Sequence, residues 1–164
     1  YEKIKLYRNH GMKSRDNVHV FGVNSRLDVL NAEVLNFRLK KLKSVILKRR
    51  RNISIYQKLI NQKNIKIPYD TRDQFSSCVI FLCLCERRDE LQKYLNSKGI
   101  QSLVYYGTPL HKHYASKIEG LHKNKLPISE NLAKKVLALP HHQNLTSKQI
   151  KIVCQEINKF YKNS

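Results

Sequence analysis

At 164 residues the chain accommodates one domain with a real hydrophobic core and is short for two. Its 32 lysines and arginines against 12 acidic residues give a formal net charge of +20, which suits an anionic partner, either nucleic acid or a phosphorylated ligand. Lysine, isoleucine, asparagine and tyrosine crowd the whole chain, so part of that charge reflects biased residue usage. No apolar run approaches the roughly 18 residues of a membrane span, and no signal-peptide pattern opens the chain. The expectation is a soluble, cytoplasmic protein without a membrane partner.

The first informative stretch is NHGMKSRDNVHVFGVNSRLD, residues 9 to 28, a polar segment with neither helical nor strand periodicity. Within it GVNSR combines Gly22, which permits close backbone approach, Asn24, an uncharged amide donor, and Arg26, whose guanidinium fork fits a phosphate. Standing before a helix, it gains the favourable end of the dipole. The local alternative is an ordinary helix cap, with Asn24 or Ser25 satisfying the first N–H groups.

From Arg26 to about Gln62 the spacing predicts a helix. Leu27, Leu30, Val34, Leu35, Phe37, Leu39, Leu42, Val45 and Ile46 fill an arc of roughly 200°, wide enough to touch more than one neighbour. Arg38 interrupts the arc, and a kink is expected near Arg49 to Arg51. Pro68 closes this region. SSCVIFLCLC, residues 76 to 85, then predicts a buried central strand. RRDELQKYLNSKGI predicts a helix with Leu91 and Leu95 one turn apart, ended by Gly99. QSLVYY, residues 101 to 106, resumes extended structure, and Ser129 to Leu137 reads as a short helix stopped by Pro140. In LTSKQI, Thr146 and Gln149 form a capping box and Leu145 with Ile150 a hydrophobic staple, opening a terminal helix.

The cysteines at 78, 83, 85 and 154 form no C-x-x-C pair and suit reduced core thiols better than a disulfide framework. Cys83 and Cys85 share one side of their strand, but His111 and His113 lack the spacing to complete a zinc site with them. There is no G-x-S-x-G, Walker loop, G-x-G-x-x-G or acid–base carboxylate pair. In YYGTPLH, turn chemistry explains the glycine and proline, and a loop histidine is ordinarily solvated.

It is the collinear set RNHG, GVNSRLD, LKKL, RDELQKYLNSKGI, YYGTPLH and LPISENLAKKVLALPHHQNLTSKQI that resembles the C-terminal part of the DegT/StrS-type sugar aminotransferases. These are pyridoxal-phosphate enzymes of the aspartate aminotransferase fold. The resemblance implies an α/β chain, α+β locally, forming the C-terminal small domain of a fold-type-I pyridoxal-phosphate transferase. Residues 1 to 25 would end the large domain and carry a cofactor and substrate loop. Residues 26 to 62 would be the long connecting helical segment, and 63 to 164 a small sheet packed with helices.

It further implies that Asn24 reaches across a homodimer to the cofactor phosphate. Tyr106, His111 and His10 would line the sugar side of the cleft, and Arg26, beside Asn24, would lie near the sugar-nucleotide phosphates. The Schiff-base lysine would lie upstream of Tyr1, leaving this chain without a catalytic residue, without a metal and inactive alone. The intact enzyme would transfer an amino group, from glutamate, to a nucleotide-linked keto-deoxysugar used in surface polysaccharide or glycan synthesis. The alternative is a basic helical nucleic-acid-binding module. Against it, the basic residues are scattered and no aromatic platform is interleaved with them.

Overall fold

A computed structural model of the chain describes residues 1–25, 27–68, 70–71, 73–123 and 125–162. These fall into two compact units, Tyr1–Lys43 and Ser44–Ser164, so the division lies inside the stretch expected to be one connecting helix.

The first unit holds a short helix α1 (Glu2–Tyr7), an antiparallel pair β1 (Met12–Ser14) and β2 (Asn17–Val18), and helix α2 (Val29–Leu39). Asp28 caps α2 by accepting from the Asn31 amide at 2.9 Å. The cap therefore falls beyond Asn24 and Ser25, at a residue type that competes well for free N–H groups. Arg26, where the helix was expected to begin, lies outside the described residues. None of α2 is buried within the chain: Leu30 is 80% exposed and Phe37 57%.

A break at Lys40 and Lys41 separates α2 from α3 (Leu42–Leu59), with the Lys41 amide closing a tight turn onto the Arg38 carbonyl at 3.0 Å. Helix α3 runs without a break through Arg49 to Arg51, where a kink was expected. Two of its cations have partners elsewhere, which relieves their repulsion. Arg50 pairs with Asp70 and stacks over Phe75, and Arg49 reaches Gln143.

The second unit is built on a three-stranded antiparallel sheet in the order β3 (Ile65–Lys66), β4 (Leu82–Cys85), β5 (Val136–Ala138). The central strand is where the apolar run predicted it but is shorter. Cys78 adopts φ +51° and its amide bonds the Ser76 hydroxyl at 3.1 Å, a local turn that competes with strand pairing. Val79 and Ile80 are exposed, and burial with period two begins only at Phe81, Cys83 and Cys85.

Helix α4 (Arg88–Ser97) buries Leu91 and Leu95 completely, and Gly99 follows at φ +72°, as the spacing predicts. The strand expected at 101 to 106 reduces to one bridge between Leu103 and Ala138. Two 3₁₀ turns (Leu110–Lys112 and Leu121–Lys123) flank a short α5 (Tyr114–Ile118). Helix α6 (Pro127–Lys135) starts on a proline, suited to a first turn, and ends two residues before the expected limit. Val136 to Ala138 pair with β4 instead. Three buried apolar residues beside an open strand edge gain both ladder bonds and core packing, which a further half-turn of helix would forfeit.

Helix α7 (Ser147–Lys162) opens on the capping box: the Thr146 amide meets Gln149 Oε1 at 2.9 Å, and the Gln149 amide meets Thr146 Oγ1 at 3.2 Å. Leu145 packs on the core against which Ile150 is fully buried, the geometry of a staple. The core joins Tyr56 of α3 and Ile60 just after it to the sheet, α4 and α7. All four cysteines are free and buried, and burial pushes the Cys85 and Cys154 thiols up to about 12. Among the described residues no helix is long and apolar enough to cross a membrane.

Candidate functional site

In the first unit the motifs NHG and GVNS form one clasp. Asn9 and Asn24 make an antiparallel bridge, the His10 amide donates to the Val23 carbonyl at 3.1 Å, and the Ser25 amide to the Arg8 carbonyl at 2.9 Å. Arg8 Nε closes the same clasp on the Ser25 carbonyl at 3.0 Å.

Two glycines make this approach possible. A Cβ at Gly11, which sits at φ +71°, would lie 1.6 Å from the Val20 carbonyl oxygen. One at Gly22 would lie 2.5 Å from both the Gly11 nitrogen and the Tyr7 oxygen. His10, at φ +56°, and Asn24 are therefore carried by one braced backbone, and both are exposed. An exposed carboxamide on a fixed loop offers a donor that matches a phosphate oxygen. Arg26 lies outside the described residues.

In the second unit the loop after Leu103 and the start of α6 face each other across a groove of about 1130 Å³. Tyr106, Thr108, Leu110 and His113 form one side, Leu126, Ile128 and Leu132 the other, and Leu82 and Leu84 of β4 lie between. The lining is largely apolar, with Lys66, the Tyr106 phenol, Thr108, His113 and Ser129 as its polar groups. Such a surface orients a ligand by few polar contacts. Tyr106 is 74% exposed and holds φ +56°, a conformation uncommon outside glycine and asparagine.

His111 is placed differently. It is 6% exposed, with Nε2 2.9 Å from Glu130 Oε1, and does not border the groove. The His111 bond, with the Leu126 amide second, holds the Glu130 carboxyl below its ordinary range. His113 donates from Nε2 to the Thr108 carbonyl at 3.1 Å, while Cys83 and Cys85 lie in the core. Among the described residues no cluster of three or more His, Cys, Asp or Glu could hold a metal.

The expected site residues thus fall into two groups, His10 with Asn24 in the first unit and Tyr106 with His111 in the second. Lys66, Thr108, His113 and Glu130 were not singled out as site residues in the sequence. For Glu130 a signal existed, a carboxylate one turn into a helix opened by Pro127. Thr108 lies within YYGTPLH and His113 two residues beyond it, whereas Lys66, in a two-residue strand, has no periodicity to mark it.

The chain belongs to the DegT/DnrJ/EryC1/StrS aminotransferase family, whose pattern it matches over residues 1–158. It is 37% identical over 140 residues to the erythromycin biosynthesis sensory transduction protein EryC1 of Saccharopolyspora erythraea, spanning 85% of this chain and 38% of that protein. To the dTDP-3-amino-3,4,6-trideoxy-alpha-D-glucose transaminase of Streptomyces venezuelae it is 34% identical, spanning 85% and 37%. The X-ray structure of S. venezuelae DesV in complex with a ketimine intermediate superposes with a TM-score of 0.89 at 31% identity, over 97% of this chain and 43% of that one. The chain therefore spans less than half the length of these relatives.

Proposed function

We propose, with that membership as the premise, that the chain is the C-terminal part of a pyridoxal-phosphate aminotransferase acting on a nucleotide-linked keto-deoxysugar. The amino donor is glutamate, and the product is an amino sugar for a surface polysaccharide or glycan. The intact enzyme is a cytoplasmic homodimer. The observation that carries this reading is the clasp of NHG on GVNS, which spends two sterically obligatory glycines on bracing an exposed Asn24.

The donors present fit one edge of the cofactor. Asn24 would hold a phosphate oxygen from the neighbouring subunit, and the fixed backbone lowers the entropy lost on binding. When bound, pyridoxal phosphate supplies the electron sink for the proton transfers of amino exchange. The lysine that binds its aldehyde carbon is assigned to the remainder of the protein. Tyr106, His10 and Arg26 contribute to the sugar side, and His111 supports the Tyr106 loop from beneath.

The test uses the intact protein with pyridoxal phosphate, L-glutamate and a panel of dTDP- and UDP-linked keto-sugars, with 2-oxoglutarate and the amino sugar read by mass spectrometry. Amino-sugar formation is expected, and its absence across the panel sinks the reading. Asn24→Ala removes one bond to a charged acceptor, worth roughly 1.5–3 kcal/mol, so the cofactor dissociation constant should rise about tenfold to a hundredfold. Unchanged retention would remove Asn24 from the cofactor site.

A further inference from the structure

We propose that Glu130 is a positioning residue that fixes the width of the groove by tying the Tyr106 loop to helix α6 through His111. The proposal rests on the reading of this groove as the sugar side of an aminotransferase site.

The two walls of the groove belong to segments far apart in sequence. One is the loop from Val104 to His113, the other the opening of α6. At its start the loop is pinned by the reciprocal bonds between Leu103 and Ala138, at 3.1 Å and 2.7 Å. Its later bonds run within the turn, from the Lys112 amide to Pro109 and from the His113 amide to Leu110, or to the adjoining α5, where the Lys117 amide meets the His113 carbonyl at 3.3 Å and the Ser116 hydroxyl the Leu110 carbonyl at 2.6 Å. Such bonds shape the turn without attaching it to the opposite wall.

Glu130 fastens this far end to the opposite wall, chiefly by its bond to the buried His111 and also by the exposed ion pair with Lys112. One oxygen, Oε1, gathers three groups: His111 Nε2 at 2.9 Å, the Leu126 amide at 3.4 Å and Lys112 Nζ at 3.5 Å. It thereby joins the 3₁₀ turn, the residue preceding α6 and α6 itself. Neither His111 nor Glu130 borders the groove, although Leu110 and His113 on one side and Leu126 and Ser129 on the other do. The pair is a cross-tie beneath a cleft whose surface others supply.

A carboxylate bonded to a largely buried imidazole is well suited to this task. Charge-assisted bonds are short and directional, and breaking this one leaves a buried ring nitrogen without its partner. Tyr106 lies between the two fastenings, so its place at the rim follows from both.

The experiment compares Glu130→Ala, Glu130→Asp and Glu130→Gln in the intact protein by amide hydrogen exchange. Asp keeps the charge but is one methylene too short; Gln keeps the reach and an acceptor oxygen. In the Ala and Asp variants the amides of Lys112 and His113 should exchange about tenfold faster while those of β4 and β5 are unchanged, and Gln should stay within about twofold of the wild type. For whichever panel sugar turns over, Ala and Asp should raise its KM about fivefold or more and leave the KM for glutamate within about twofold.

Wild-type exchange in both Ala and Asp, acceleration spread through the sheet, or a Gln variant as loose as Ala would each overturn the proposal. If Ala does not fold, Asp against Gln decides the same point. A wild type that turns over no sugar refutes the aminotransferase reading, while the exchange measurement still decides the role of Glu130.

Discussion

Asn52, wholly buried in α3, donates from Nδ2 to the His142 carbonyl at 2.9 Å, and one turn later Tyr56 donates its hydroxyl to the Pro140 carbonyl at 2.8 Å. These two side chains hold the 140–142 segment, directly after β5, onto the helix that supplies much of the core. Asn52→Ala leaves a carbonyl unsatisfied and should lower unfolding stability by about 1–3 kcal/mol. Tyr56→Phe removes only the hydroxyl and should cost about 0.5–1.5 kcal/mol. Urea unfolding at unchanged m reads both. Two variants within about 0.5 kcal/mol of the wild type would show that the segment is held by other means.

His141 introduces a dependence on pH. Its Nε2 donates to the Cys78 carbonyl at 2.8 Å, while Nδ1 is buried and has no partner among the described residues. Burial lowers its pKa below the ordinary 6.5, the Cys78 bond opposing that shift. The unfolded chain therefore binds the proton first. The stability is present above about 6.5 and is lost as the pH falls through the lower folded value. Asp70 and Glu130, whose carboxyls are also held low, act in the same direction but at more acid pH. His141→Gln, which can keep a donor toward Cys78, should flatten the fall in urea midpoint between about pH 7.5 and about pH 5.5. An equally steep fall in the variant would assign the effect to another group.

What was legible in the sequence follows the range of the forces involved. The Thr146–Gln149 box, Gly99 after α4 and the paired Leu91 and Leu95 are fixed within a few residues, and each stands where its spacing places it. The helix expected to Leu137 overruns Val136 and Leu137 of β5 because VLA is neutral between the two states, and only the open edge of β4 decides. The break at Lys40 and Lys41 carries no proline or glycine to mark it. At the site, the glycines of NHG and GVNS were visible as residues, but their mutual contact spans residues 9 to 24 and needs the fold. His111 is buried and bonds Glu130, nineteen residues away, a pairing that no local pattern in the sequence reveals.

Leu30, Val34 and Phe37 of α2, with Leu27 just before the helix, are exposed within the chain. Burying a large apolar side chain is worth about 1.5–3 kcal/mol, so four of them left in water are unfavourable. In the intact protein this stripe should be covered by another subunit or domain. Leu30→Glu should raise the dimer dissociation constant about tenfold to a hundredfold, read by sedimentation or light scattering. A dimer as tight as the wild type, with no loss of thermal stability, would leave the stripe without a partner.

Residues 1–164 produced alone should not capture pyridoxal phosphate at one lysine. Site-specific capture needs an amine held in a pocket that favours its neutral form, between walls that fix the ring. Lys112 and Lys135 instead carry salt bridges to Glu130 and Glu86, and Lys41 and Lys98 lie over the rings of Phe37 and Tyr94. Incubation with the cofactor, borohydride reduction and peptide mapping should therefore yield low occupancy spread over many lysines. Stoichiometric labelling of a single lysine, together with turnover of a keto-sugar nucleotide by residues 1–164, would show that this segment carries a complete active site and would overturn its assignment as one part of the enzyme.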